Sequence, residues 1–174
     1  MTTTHVFLRR AQKLPTFTLL AMLFLIGFKP AFCDGLVDIG GGRKMYMECM
    51  GSGSPTVIFI PGYRDRGDSG WNILPPGKEG TPVFSAVGKF TRVCTYDRPG
   101  TILGKEETFE TSRSDPVPQP ITAKDAANDL HALLIAAKIE GPYIIVGHSM
   151  GGLMARLYAA MYPKGICGLV LVDS

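Results

Sequence analysis

The sequence predicts an α/β fold, with a mostly parallel sheet and helices on both of its faces. Residues 56–60 (TVIFI) form a continuous apolar run without alternation, which is typical of a strand buried on both sides. Similar runs occupy residues 143–146 and 168–172, and a segment with helical character separates them. Strands that alternate with helices indicate parallel neighbours, because a parallel connection needs a crossover.

The remaining strands are shorter and end at turn residues. Residues 44–50 alternate between apolar and polar side chains and precede a Gly/Ser/Pro turn at 51–55. Residues 92–96 form another apolar run, which Pro99 and Gly100 end. These segments predict two further strands before the middle of the chain.

Two helices are predicted after residue 120. The first begins at Thr122, where Asp125 three residues later completes a pattern like a capping box, and it ends before Gly141. The second covers residues 150–162 and ends at Pro163. Residues 62–82 and 100–120 are rich in Gly, Pro and polar side chains, so we expect them to be long loops at the carboxyl ends of strands.

The first 33 residues differ in composition from the rest of the chain. They contain four basic residues and no acidic one, so the net charge of +3 belongs to them, and residues 34–174 are near neutral. Residues 14–28 are uncharged and mostly apolar, which predicts a signal peptide at 1–33. The alternative is an uncleaved membrane anchor at 14–28. We therefore expect an exported domain at 34–174 that is secreted, periplasmic or lumenal.

Three cysteines lie in that domain: Cys49, Cys94 and Cys167. An odd number is a poor framework for disulfides, although export permits one bridge. We expect buried free thiols.

The chemistry concentrates at residues 147–151, Gly-His-Ser-Met-Gly, which follow an apolar strand and open a helix. This is the G-x-S-x-G pattern in the strand–turn–helix context of a nucleophile elbow. Gly147 and Gly151 leave room for the tight turn, and the turn raises the Ser149 hydroxyl above the sheet. The N–H of Met150, at the start of the helix, can donate to a developing oxyanion.

The motifs resemble those of the α/β-hydrolase fold family, in unbroken order from about residue 36 to residue 174. They are Pro61-Gly62, YDRPG at 96–100, GPYIIVGHSMGG at 141–152, RLY at 156–158, YP at 162–163 and GLVLVDS at 168–174. The resemblance implies that Ser149 is the nucleophile of a serine hydrolase and that the Tyr63 N–H is the second oxyanion donor. It also implies a small-molecule ester, lactone or amide substrate.

No cofactor, metal or nucleic-acid partner is expected. The sequence has no Cys/His cluster with metal spacing, no Walker lysine and no basic surface interleaved with aromatic residues. A membrane contact is expected only through an uncleaved N-terminal segment. Substrate identity is not predicted, because selectivity in this fold is set by segments that follow the strand at 168–172.

In this fold an acid and then a histidine follow the serine along the chain. No histidine follows Ser149 here, and Asp173 is expected to help shape the site, with the role of the triad acid as the alternative. We expect the His148 side chain to point away from the nucleophile and His131 to lie on a helix surface. Asp97 and Arg98 are expected to border the site or to support its loop.

Two main hypotheses follow. The chain is the N-terminal part of an exported serine hydrolase and is inactive as this fragment, or it is a non-catalytic remnant or truncated pseudoenzyme of the same fold. Acyl transfer or ligand binding on the same fold is a third possibility. In the fragment, residues 168–172 would form an exposed apolar edge strand.

Overall fold

The computed structural model describes residues 34–74, 76–100, 102–103 and 110–174. The predicted signal peptide or anchor at 1–33 lies outside these residues. Within the described ranges the chain forms eight strands and four helices. The strands are β1 (Asp34–Gly40), β2 (Arg43–Met50), β3 (Thr56–Ile60), β4 (Val93–Tyr96), β5 (Ile102–Leu103), β6 (Glu110–Thr111), β7 (Tyr143–His148) and β8 (Ile166–Val172). The helices are α1 (Gly67–Trp71), α2 (Val83–Val87), α3 (Ala123–Ala136) and α4 (Met150–Met161).

Six strands form one sheet in the order β1-β2-β4-β3-β7-β8, and β5 pairs with β6 separately. Strands β4, β3, β7 and β8 are parallel, while β1 and β2 add an antiparallel pair at one side. The prediction of a mostly parallel sheet is therefore confirmed. The carboxyl ends of the four parallel strands meet at one edge, where the loop after β3 and the turn after β7 lie side by side.

Strand β3 is buried on both faces, as its unbroken apolar run predicts. Ile58 and Ile60 pack into the larger core beneath α3 and α4. Val57 and Phe59 point to the opposite face, where Trp71 of α1 and Phe84 of α2 cover them. Helices on both faces are thus confirmed.

Helix α3 starts as the sequence predicts. Thr122 is its N-cap: the Thr122 hydroxyl accepts from the Asp125 N–H at 3.1 Å, and the Asp125 carboxylate accepts from the Thr122 N–H at 2.9 Å. On the same helix, Asp129 accepts two hydrogen bonds, at 2.9 and 2.7 Å, from Arg43 of β2. This pair fixes α3 on the antiparallel side of the sheet.

The expectation of free thiols at Cys49 and Cys94 is wrong. The two residues face each other in the antiparallel register of β2 and β4 and form a disulfide, with Cα atoms 4.1 Å apart. Directly opposed residues on neighbouring strands come close enough for a bridge. Cys167 is a free thiol, but it is exposed rather than buried.

Strand β8 is the last strand of the sheet and pairs with β7. Leu169, Val170, Leu171 and Val172 are each at least 40% exposed. The predicted apolar edge strand is therefore confirmed. Among the helices of the described residues, none combines the length and the hydropathy needed to cross a membrane.

Candidate active site

Ser149 lies in the turn between β7 and α4 and has left-handed backbone geometry, with φ 51° and ψ −124°. A positive φ is rare for a residue with a side chain and costs about 1–3 kcal/mol, so it persists only where surrounding contacts impose it. The Ser149 N–H donates to the Val172 carbonyl of β8 at 3.0 Å, and the Ser149 carbonyl accepts from the Gly152 N–H at 2.9 Å. These two bonds hold the strained residue from both sides.

The glycines around Ser149 are required by close packing. A Cβ atom on Gly147 would lie 2.4 Å from the Gly151 carbonyl oxygen, and one on Gly151 would lie 2.4 Å from the Ile60 carbonyl oxygen. Both distances are far shorter than any real Cβ contact. Any larger residue at either position would push α4 away from the sheet or from the loop after β3. The steric reason given for the G-x-S-x-G pattern therefore holds in the structure.

The loop after β3, residues 61–66, faces the elbow. Tyr63 is 65% exposed, and Arg64 next to it has a positive φ of 66° with its guanidinium 5.5 Å from the Tyr63 ring centroid. In the described part of the chain, no acceptor bonds the N–H of Tyr63 or the N–H of Met150. Tyr63 and Met150 both line one cavity of about 460 Å³. The two predicted oxyanion donors are thus brought to a shared cavity with unused N–H groups.

Arg98 supports this loop from below and is only 3% exposed. Its guanidinium donates to the Pro61 carbonyl at 2.5 Å and to the Gly62 carbonyl. Burial lowers the pKa of Arg98 from its ordinary value, although an arginine remains charged at neutral pH. The sequence predicted a role at the border of the site or in loop support. The hydrogen bonds show loop support, and Arg98 also lines the cavity that Tyr63 and Met150 share.

Asp97, fully buried beside Arg98, supports the start of α1, which follows this loop. Its carboxylate accepts from the Gly67 N–H at 3.0 Å and from the Arg113 side chain at 2.7 and 2.8 Å. Burial alone would raise the pKa of Asp97, but the bonds from Arg113 and Gly67 outweigh it and lower the pKa below 3.8. Asp97 is therefore an ionised anchor for the start of α1.

Neither of the two histidines in the described residues forms a hydrogen bond with Ser149. His131 of α3 stacks on Tyr162 at the far end of α4, with ring centroids 3.7 Å apart. That end lies about 18 Å from Met150, at about 1.5 Å per helical residue. His148 lies edge-on to Trp71, with centroids 6.2 Å apart, and its ring borders Gly62. Trp71 itself stacks on Phe59 and packs α1 onto the sheet.

Asp173 follows β8 directly, has φ 48° and is exposed. Because β8 is parallel to β7, this residue lies at the same edge of the sheet as Ser149. No group of three or more His, Cys, Asp or Glu side chains within the described residues is arranged to hold a metal ion.

Sequence reasoning missed Arg113, which holds both carboxylate oxygens of Asp97 and lies over the Tyr46 ring at 3.5 Å. It lies in a segment of polar residues and prolines without periodicity, so no local signal marks it. The only hint is the presence of a buried acid after β4, which needs a cationic partner.

Comparison with known proteins places these observations in a family. The family model described as "Alpha/beta hydrolase family" matches residues 57–174. The uncharacterised protein YqjL of Bacillus subtilis (strain 168) is 29% identical over 145 residues, 83% of this chain. A candidate carbamate hydrolase, RutD of Yersinia enterocolitica, is 33% identical over 132 residues, 75% of this chain.

Among solved structures, a candidate lipase of Acinetobacter baumannii AYE superposes with a TM-score of 0.62 and 28% identity, over 80% of this chain. The chain spans 49% of YqjL, 41% of RutD and 40% of the candidate lipase. It therefore corresponds to half or less of these proteins.

Proposed function

This chain belongs to the alpha/beta-hydrolase family, and from that premise we propose that it carries the nucleophile and oxyanion donors of an exported serine hydrolase. Ser149 is the proposed nucleophile, and the N–H groups of Tyr63 and Met150 are the proposed oxyanion donors. The observation that carries the proposal is the strained Ser149 backbone at the junction of β7 and α4. Backbone strain of this kind clusters at active sites, where it can hold a side chain in one orientation.

The proposed reaction is hydrolysis through an acyl-enzyme. The Ser149 oxygen attacks the substrate carbonyl while a base removes its proton, and the tetrahedral intermediate places its oxyanion on the two N–H groups. The leaving alcohol or amine takes a proton and departs, and water then releases the acid from the serine ester. Helix α4 adds the positive end of its dipole at Met150.

The base in this proposal is neither His131 nor His148. His131 is stacked at the far end of α4, and His148 is turned toward Trp71 and Gly62. A serine hydroxyl without a base is a weak nucleophile at neutral pH. Residues 34–174 therefore supply the nucleophile half of the site, and by themselves they are expected to be inactive.

The proposed substrate class is a small-molecule ester, lactone or amide. The names of the relatives, a candidate lipase and a candidate carbamate hydrolase, support carbonyl hydrolysis as the reaction type. The cavity beside Tyr63 and Met150 is mainly apolar in its lining, with Pro99, Ile121 and Leu153 contributing, and it also contains Arg64 and Arg98. The apolar part of the lining suits an acyl or alcohol group.

The competing proposal is a non-catalytic remnant of the same fold, and the placement of the two histidines favours it. The coding sequence beyond Ser174 distinguishes the two. An open frame that continues with an Asp or Glu and then a His supports the hydrolase. An immediate stop codon supports the remnant.

A fluorophosphonate probe, which reacts with activated serines, tests the nucleophile directly. We expect the product of the complete open reading frame to be labelled, Ser149→Ala to abolish the labelling and the control Ser85→Ala, on α2, to keep it. Labelling that survives Ser149→Ala contradicts the assignment of the nucleophile. Labelling of the 174-residue chain that Ser149→Ala removes contradicts the claim that the base lies elsewhere.

Export is a separate part of the proposal. It is supported if the mature protein begins near Asp34 in an extracytoplasmic fraction. It is contradicted if the protein retains Met1 in the cytosol.

A further inference from the structure

The buried cation under the loop after β3 is Arg98, and in the part of the chain that the structure describes it forms no close ion pair. Its side-chain bonds go to the carbonyls of Pro61 and Gly62, and Asp65 and Asp97 act on its charge only through space. A buried charge is costly unless it is paired, and neutral carbonyls compensate it incompletely. The nearest acid in sequence, Asp97, is fully engaged with Arg113 and Gly67. The arrangement therefore needs an explanation beyond loop packing.

The geometry of the peptide group between Gly62 and Tyr63 explains why a charged side chain lies under this loop. The Gly62 carbonyl and the Tyr63 N–H belong to the same planar unit, and this unit is trans, so the two groups point in opposite directions. A guanidinium that fixes the Gly62 oxygen from one side therefore fixes the Tyr63 N–H toward the other. The second bond, to Pro61, fixes the preceding peptide group as well and prevents rotation of the pair.

The same contact strengthens the donor. A charged hydrogen bond to a carbonyl polarises its peptide group, and hydrogen bonds in such chains reinforce one another at low dielectric. The Arg98 charge also lies one peptide group away from the place where negative charge would develop. Both effects act on the Tyr63 N–H through the peptide group that joins Gly62 to Tyr63.

We infer that Arg98 is a positioning residue for the oxyanion hole, one that sets the direction and donor strength of the Tyr63 N–H through the Gly62 carbonyl. The inference rests on the proposed function, because it assigns Arg98 to the reaction at Ser149. It makes a structural claim about one peptide group and a kinetic claim about the reaction, and each has its own measurement.

The structural claim is tested in the product of the complete open reading frame, labelled with ¹⁵N-tyrosine. The ¹⁵N shift of an amide responds to hydrogen bonding at the preceding carbonyl, and Tyr63→Phe identifies the signal. We expect Arg98→Met to move the Tyr63 signal upfield and Arg98→Lys to move it less. The control Arg92→Met, at the other end of β4, should leave it in place.

The kinetic claim is tested on the same proteins with p-nitrophenyl acetate and with a trifluoromethyl ketone, which forms a tetrahedral oxyanion on the serine. We expect Arg98→Met to lower kcat by about 10²-fold, with KM within about twofold, since loss of one oxyanion donor has effects of about 10²–10³. Affinity for the ketone should fall in proportion to kcat/KM, and Arg98→Lys should restore part of both. Arg92→Met should behave as wild type.

An unmoved Tyr63 signal in folded Arg98→Met overturns the inference, and so does a loss of rate that lies only in KM. If Arg98→Met unfolds, Arg98→Lys decides: unchanged kcat and ketone affinity overturn the inference, and a parallel loss of both supports it. Failure of the proposed function has a different signature. It would be hydrolysis that survives Ser149→Ala, with the Tyr63 shift still dependent on Arg98.

Discussion

The side chain of Arg113 bonds both carboxylate oxygens of Asp97, from Nε at 2.7 Å and from a terminal nitrogen at 2.8 Å. The same carboxylate accepts from the N–H of Gly67, at the first residue of α1. One fully buried acid thus joins the end of β4, the start of α1 and the segment before α3. The pair fixes α1, which follows the loop that carries Tyr63, on the end of β4.

Asp97→Asn is expected to lower the free energy of unfolding by about 3 kcal/mol, because removal of one partner from a buried ion pair leaves the other uncompensated. Urea unfolding monitored by circular dichroism measures the change. Glu79→Gln, at an exposed acid, is the matched control and should change stability by less than about 0.5 kcal/mol. Equal stability of the two variants would contradict the role assigned to Asp97.

The ion pair between Asp97 and Arg113 also predicts how the free energy of unfolding depends on pH. The pKa of Asp97 is lower in the folded protein than in the unfolded chain, so its stabilisation is complete above the ordinary value of 3.8 and is lost as the pH falls through the folded value. The difference in unfolding free energy between wild type and Asp97→Asn should therefore be constant from pH 7 to about pH 5 and shrink toward pH 2. A difference that grows as the pH falls would show that the sign of the pKa shift is wrong.

Gly151→Ala is expected to separate the elbow from the loop after β3, since its Cβ would lie 2.4 Å from the Ile60 carbonyl oxygen and 2.6 Å from the Pro61 carbonyl oxygen. We expect a loss of about 1–3 kcal/mol in stability, as for other overpacked sites, and a loss of fluorophosphonate labelling in the complete product. The control is Ala160→Gly, on the exposed side of α4, which replaces an alanine by a glycine in the same helix. It should reduce stability by about 1 kcal/mol through helix propensity alone and keep the labelling.

The disulfide between Cys49 and Cys94 determines how many thiols a thiol reagent can detect. Residues 34–174, unfolded without reductant, should expose one thiol, that of Cys167, and three after reduction. Reduction should lower the free energy of unfolding by about 2–4 kcal/mol, because the bridge closes a loop between residues 45 apart. Cys167→Ser should abolish the single thiol signal and leave the stability unchanged. Three thiols before reduction would contradict the bridge.

Strand β8 predicts self-association of the 174-residue chain. Its exposed apolar residues and unpaired edge form a template for intermolecular pairing. Val170 is 46% exposed in the wild type. Val170→Lys should raise the protein concentration at which light scattering appears by several-fold. Lys164→Ala, outside the strand, should not raise it. Equal scattering of the Val170→Lys and wild-type chains would contradict the assignment of the interface to β8.

The elements predicted correctly from sequence are those with strong local signals. Strand β3 has an unbroken apolar run, α3 has a capping pair at Thr122 and Asp125, and the elbow has glycines that sterics demand. Helix α1 was predicted as loop because five residues with two glycines show no helical period. Strand β1 was not predicted at all, since its apolar residues are few and only partly buried.

In the candidate site, too, only the residues with a local signal could be predicted. Ser149 and Met150 follow from a contiguous motif, whereas the bonds of Arg98 and Arg113 join residues 16 to 37 positions apart. The bridge between Cys49 and Cys94 was missed for a related reason. Counting cysteines carries no information about which strands are neighbours, and β2 pairs with β4 rather than with β3, the next strand of the main sheet along the chain.

The bond from Ser149 to Val172 limits how the G-x-S-x-G motif can be transferred to another protein. The contacts that hold the conformation of residues 147–151 lie outside this segment. The acceptor of the Ser149 N–H is on β8, and the backbone packed against Gly151 is on β3. We expect a nascent chain to complete the bonds of this turn only after Val172 has been synthesised and α4 has packed on the sheet. A graft of the motif into another scaffold would accordingly need three neighbouring parallel strands, with β7 in the middle, rather than five residues.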